Sequence, residues 1–135
     1  MSGGQGTRLG FDHPKGMFDL GLKSGLTLFG YFAKRLKCLS DLAKARTGVN
    51  YAKCLIKWYL MTSDMNHDEI VNYFKANNYF GYDEESIVFF PQGGIPALTY
   101  DGKIIIESEG NLSLAPGGNG AIYSEMKSKN VLSHM

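Results

Sequence analysis

The stretch Met1-Ser2-Gly3-Gly4-Gln5-Gly6-Thr7-Arg8-Leu9-Gly10, running on into Phe11-Asp12-His13-Pro14-Lys15-Gly16, decides how the rest of the chain is read. Three glycines in four positions strip side chains from one loop, so its backbone N–H groups are free to turn toward a single anion. Arg8 and Lys15 add fixed positive charge beside that loop. The pattern suits nucleotide phosphates. Two other phosphate loops fail on spacing. A Walker loop needs G-x-x-x-x-G-K-[ST], and no Lys-Ser or Lys-Thr follows at that distance. A dinucleotide fingerprint needs G-x-G-x-x-G, and Leu9 stands where its third glycine belongs. What remains is G-G-x-G-T-R followed by Pro-Lys-Gly.

Working outward, apolar residues at Leu28, Phe32, Leu36, Leu39 and Ala43 recur at steps of three and four, which predicts an amphipathic helix over residues 27–45. Lys34, Arg35, Lys37, Lys44 and Arg46 fall on its wet side, and Gly48 ends it. Residues 55–62 read as a buried strand. Asn66 is the expected cap of the next helix, with Glu69 reaching back in a capping box, and Ile70, Val71 and Phe74 share its inner face. Ile87-Val88-Phe89-Phe90 is a short core strand. Asp101-Gly102 between apolar runs marks a hairpin, and residues 121–135 read as a last helix. Strands alternating with helices predict an α/β layered sheet with one antiparallel excursion.

Composition narrows the class. The 135 residues allow one domain at most. Fourteen basic and 13 acidic residues give a formal charge of +1, which argues against a bulk electrostatic nucleic-acid binder. The 17 glycines are nearly twice the ordinary share of about 7%. No apolar run approaches the roughly 20 residues that a membrane helix needs, and the polar start is unlike a signal peptide. Cys38 and Cys54, with no C-x-x-C, are expected to be buried free thiols in a reducing cytoplasm.

Further blocks follow the glycine loop in a fixed order: Trp58-Tyr59-Leu60-Met61-Thr62-Ser63, Tyr79-Phe80-Gly81, Phe89-Phe90-Pro91-Gln92-Gly93, Ile95-Pro96-Ala97, Asp101-Gly102-Lys103-Ile104-Ile105 and Ala115-Pro116-Gly117-Gly118-Asn119-Gly120. Together with the opening loop they resemble the sugar-nucleotide pyrophosphorylases, and among them the eukaryotic UDP-N-acetylhexosamine pyrophosphorylases. The resemblance implies a Rossmann-like nucleotidyltransferase sheet with flanking helices. It also implies a uridylyltransferase that joins UTP and N-acetylglucosamine 1-phosphate into UDP-N-acetylglucosamine and pyrophosphate, with Mg²⁺ accompanying UTP. Only Met1 and Ser2 precede the glycines, so the sheet's first strand is expected to be missing. Members of the family are far longer, and their sugar-binding region and metal-binding aspartate are expected beyond Met135. Residues 1–135 are therefore expected to form part of the nucleotide-binding half. The alternative is a non-catalytic uridine-nucleotide-binding remnant, or a truncated chain inactive on its own.

Nucleotidyl transfer needs positioning and positive charge more than covalent help. Lys15, a compact ammonium, is the candidate for the α-phosphate, with Pro14 fixing its local geometry. Arg8 offers a bidentate fork to the departing pyrophosphate. Thr7 is suited either to a phosphate or to capping the loop. The resemblance implies that the backbone of Gly3 and Gly4 approaches uracil and ribose, with Gln5 and Gly6 completing the loop. Gln92 carries the donor and acceptor that would match uracil, and the resemblance implies that it reads the base. Gly118 would admit the base or ribose. Asn119 is either a helix cap alone or a cap that also faces the sugar. Gly117 stands where relatives have a polar residue, which loosens the loop. His13, His67 and His134 lack metal-ligand spacing and are expected to be unrelated.

Overall fold

The structure, a computed structural model, describes Ser2, Gly6 and residues 9–134. Lys15–Met17 forms a 3-10 turn, and helices follow at α1 (Leu28–Thr47) and α2 (Tyr51–Cys54). Strand β1 (Trp58–Ser63), helix α3 (His67–Ala76) and strand β2 (Ile87–Gln92) come next. Short strands β3 (Gly94–Pro96), β4 (Ile106–Ser108), β5 (Asn111–Leu112) and β6 (Leu114–Pro116) precede α4 (Ala121–Ser128) and a 3-10 turn at Val131–His134.

β1 and β2 pair in parallel, Trp58 opposite Ile87 and Ser63 opposite Gln92. A parallel pair needs a crossover, and α3 supplies it. Successive side chains on a strand point to opposite faces, so the pair is covered on both. Leu60 and Ile87 pack with Phe29, Ala33, Ile70 and Phe74 from α1 and α3. Met61 and Phe90 pack with Met126 and Val131 on the other side. The result is a helix–sheet–helix layering. β3 and β6 pair antiparallel, as do β4 and β5, so the antiparallel excursion holds two pairs. At its tip the Thr99 amide donates to the Lys103 carbonyl, the Lys103 amide donates to the Thr99 hydroxyl, and Gly102 takes φ 82°, as the Asp-Gly signal required. Among the described residues, no helix is long and apolar enough to cross a membrane.

Phe74 is the hub of the main core. Its ring centroid lies 4.9 Å from that of Phe29, 5.0 Å from Phe89, 5.2 Å from Phe80 and 5.5 Å from Trp58. Phe80 reaches it through an unusual turn, in which Asn78, Tyr79 and Phe80 all have φ between 48° and 55°. Left-handed backbone of this kind costs energy in non-glycine residues, and here it is offset by the burial of Phe80 against Phe74 and Tyr73. The Tyr79 hydroxyl donates to Glu84 at 2.5 Å, which holds its pKa above the usual phenol range.

Four expectations are corrected. The buried stripe of α1 is Phe29, Gly30, Ala33 and Ser40, while Phe32 and Leu39 are exposed. The helix is thus turned by one residue, roughly 100°, because Phe29 fits the core and Gly30 lets Phe80 approach. The last helix stops at Ser128, and Asn130, with φ 55°, turns the chain out of it. Cys38 is exposed and Cys54 half-buried, and Cys38 lies on the side of α1 away from its buried stripe. The Glu69 capping box is not formed: the Asn66 side chain makes no cap hydrogen bond, and Glu69 is taken by another partner.

A methyl group on Gly16 would sit 2.0–2.3 Å from the Phe29 ring. Gly16→Ala is expected to destabilise the fold by about 1–3 kcal/mol, read by chemical denaturation, and adding Phe29→Leu should recover part of the loss. At the hairpin tip, hydrogen bonds first from Thr99 and then from Lys103 hold the Asp101 carboxyl below the usual carboxylate range. Its support for the turn is therefore present above the unfolded aspartate value and lost as pH falls through the lowered folded one. An NMR titration of the Asp101 carboxyl should have its midpoint below the ordinary aspartate range, and Thr99→Ala should raise it.

Candidate functional site

Gly3, Gly4, Gln5, Thr7 and Arg8 lie outside the described residues. Their neighbours are firmly held. The Ser2 amide and hydroxyl both donate to the Met61 carbonyl, at 2.7 and 3.0 Å. Asn66, wholly buried, donates from Nδ2 to the Ser2 carbonyl at 3.4 Å and accepts from the Ser63 amide through Oδ1 at 2.9 Å. Asn66 therefore ties the start of the glycine loop to the carboxyl end of β1, which displaces its expected role as a helix cap. Gly6 is also fixed. Its amide donates to the His13 carbonyl at 3.0 Å, and its carbonyl accepts from Leu9 and Phe11 at 2.7 and 3.3 Å. A Cβ there would meet the Phe11 carbonyl at 2.8 Å, so only glycine fits.

Lys15 follows directly. Pro14 is fully buried with φ −52°, and the Pro14 carbonyl accepts from Met17 at 2.9 Å. The buried Gly16 lies under Phe29. These contacts fix the backbone of Lys15 while its side chain is exposed.

Gln92 ends β2 opposite Ser63 and is 6% exposed. β3 begins two residues later, and its Gly94 pairs with Pro116 at the end of β6. This antiparallel register brings Gly117–Asn119 to the segment that carries Gln92, although some 25 residues of chain separate them. Glu125 of α4 completes the junction, accepting the Gly93 amide at 2.9 Å. Gly117 has a packing reason, because a Cβ there would lie 2.9 Å from that of Ala121. Gly118 has φ 70° with open space where a side chain would point. Asn119 is exposed, and the cap position of α4 belongs to Gly120, with no side-chain cap bond.

The histidines of the loop and of α3 have defined partners. The His67 Nδ1 shares a 2.8 Å hydrogen bond with the buried Thr62 hydroxyl, and His13 Nδ1 lies 2.6 Å from Glu69 Oε1. Beside the second pair is a pocket of about 450 Å³, walled by Phe11, Met17, Tyr73 and Ala76 as well as by His13 and Glu69. Among the described residues no group of three or more His, Cys, Asp or Glu side chains could hold a metal ion. The long-range roles of Asn66, Glu69 and Glu125 escaped sequence reasoning, since each bonds a residue at least 32 positions away.

A parallel strand pair joined by a helical crossover and covered by helices on both faces defines an α/β layered domain. All 135 residues match the UTP–glucose-1-phosphate uridylyltransferase family, and the chain belongs to that family. It is 42% identical to UDP-N-acetylglucosamine diphosphorylase 2 of Arabidopsis thaliana, over the whole of this chain and 27% of the relative. It is 43% identical to the UDP-N-acetylglucosamine pyrophosphorylase of Saccharomyces cerevisiae, over 94% of this chain and 26% of that one. Among solved structures, a UDP-N-acetylglucosamine pyrophosphorylase of Entamoeba histolytica superposes with TM-score 0.88 at 40% identity, covering 98% of this chain and 33% of the other. The Trypanosoma brucei enzyme, solved with an inhibitor, gives 0.80 at 36% identity, covering 93% and 24%. The chain thus spans about a quarter of the length of the curated relatives it matches. The resemblance read from the sequence, and the nucleotidyltransferase fold it implied, are borne out.

Replacing Asn66 removes both of its hydrogen bonds and leaves the Ser63 amide without that partner. Asn66→Ala should cost about 1–3 kcal/mol, measured by urea denaturation of the intact protein.

Proposed function

We propose that the protein is a uridylyltransferase that joins UTP and N-acetylglucosamine 1-phosphate into UDP-N-acetylglucosamine and pyrophosphate. One observation carries this: three backbone pairings gather the separate sequence blocks at one end of the sheet. Ser2 docks on Met61, Ser63 faces Gln92, and Gly94 faces Pro116. These pairings support the reading that the glycine loop, the glutamine and the Gly117–Asn119 segment serve one site.

In this site the sugar phosphate oxygen attacks the α-phosphorus of UTP in line, and pyrophosphate leaves on the opposite side. Lys15 meets the charge that builds on the α-phosphoryl oxygens, and Arg8 holds the leaving pyrophosphate. Gly3, Gly4, Gln5, Gly6 and Thr7 cradle the nucleotide. Gln92 offers its amide to uracil from a buried position, where a base of the wrong pattern would leave buried groups unpaired. Gly118 leaves room beside the base or ribose, and Asn119, free of capping, faces the sugar. Mg²⁺ accompanying UTP would supply charge neutralisation on the phosphates, and no residue of this chain is assigned as its ligand. The reaction is assigned to the cytoplasm.

The test is pyrophosphorolysis of UDP-N-acetylglucosamine by the intact protein. Lys15→Ala should lower kcat about 100- to 1,000-fold with the melting transition unchanged. Uridine-nucleotide binding without turnover in the unsubstituted protein would instead identify a non-catalytic binding remnant.

A further inference from the structure

We propose that His13 and Glu69 are positioning residues for Lys15, fastening the turn that carries it to helix α3. The proposal rests on the role given above to Lys15. His13 stands at a junction. Its carbonyl accepts from Gly6 in the glycine loop at 3.0 Å. Its next neighbour but one is Lys15, joined through the buried Pro14, whose ring allows little rotation. Its ring nitrogen Nδ1 is 2.6 Å from Glu69 Oε1 on α3, and the Phe11 ring lies against it edge-on at a centroid distance of 5.3 Å.

Glu69 is well chosen as the fixed end. It sits next to Ile70, which with Phe74 is wholly buried against β1 and α1, so α3 moves only if the core does. Phe29 restrains the turn from the other side, over Gly16. The turn also has the Phe29 contact, the Gly6 hydrogen bond and the packing of Met17 against the core, and His13–Glu69 adds a side-chain hydrogen bond from this segment to α3. A carboxylate oxygen can only accept, so Nδ1–H is the donor in this bond.

The pair is too exposed to matter much for stability. The His13 and Glu69 side chains are 60% and 39% exposed, and ion pairs at such sites add little. That separates the two roles. A structural contact of this kind would leave catalysis alone, whereas a positioning contact governs where an ammonium meets the reacting phosphate. A misplacement of about 1 Å there is enough to slow a reaction by up to about 100-fold.

The experiment uses the intact protein and its pyrophosphorolysis of UDP-N-acetylglucosamine. His13→Ala and Glu69→Ala are each expected to lower kcat roughly 10- to 100-fold, with KM and the melting temperature little changed. Glu69→Gln, which still accepts from Nδ1, should restore most of the rate. In a Lys15→Ala background, His13→Ala should have no further effect, because the group it positions is gone. Unchanged kcat in both alanine variants, with Lys15→Ala slow, would overturn the positioning role and leave that of Lys15 standing. An equal further loss in the Lys15→Ala background would overturn it too, showing an effect that does not pass through the lysine. A Lys15→Ala protein as fast as the parent would remove the role of Lys15 and with it that of the pair.

Discussion

The ring of Phe29 lies so near the backbone of Gly16 that no side chain fits between them. That contact joins three parts of the molecule. Phe29 belongs to the first turn of α1, packs 4.9 Å from Phe74 of α3, and presses on the turn that presents Lys15. The core and the turn that carries Lys15 therefore share one wall. The glycine exists for packing, while the lysine beside it keeps its side chain in solvent. A buried packing contact and an exposed cation thus sit in adjacent residues without competing for the same atoms.

The rest of the site is assembled mainly by backbone. Strand register sets Ser63 against Gln92 and Gly94 against Pro116, and main-chain donors of Ser2 and Gly6 hold the glycine loop at Met61 and His13. Backbone pairing of this kind leaves side chains free, as the exposed Lys15 and Asn119 show. The few side chains that do serve as struts, namely Asn66, Glu69 and Glu125, each bond a partner from another segment.

Much of the fold was legible because local signals agreed with it. Thr27 and Gly48 bound α1 as the start and stop pattern requires, with Gly48 at φ 66°. The β1–α3–β2 unit and the Asp101-Gly102 turn followed from runs of apolar and turn residues. The errors arose where a choice depended on a distant partner. Periodicity showed that α1 is amphipathic but not how it is rotated, since Phe29 was chosen by Phe74 and Gly16. Asn66 and Glu69 had the spacing of a capping box, yet Ser2 and His13 claimed them first. The left-handed turn at residues 78–80 had no sequence signal beyond the following Gly81, because the burial of Phe80 sets it.

By itself the sequence determined the alternation of strands and helices and the membership of the chain in a uridylyltransferase family, since each rests on residues near one another or on blocks in a fixed order. Only the tertiary structure decided which face of α1 is buried, that Asn66 anchors the loop, and that His13 is fastened to Glu69. Those contacts join residues from 45 to 64 positions apart. Local chemistry favours such a bond only after the sheet and the aromatic core have brought its two ends together.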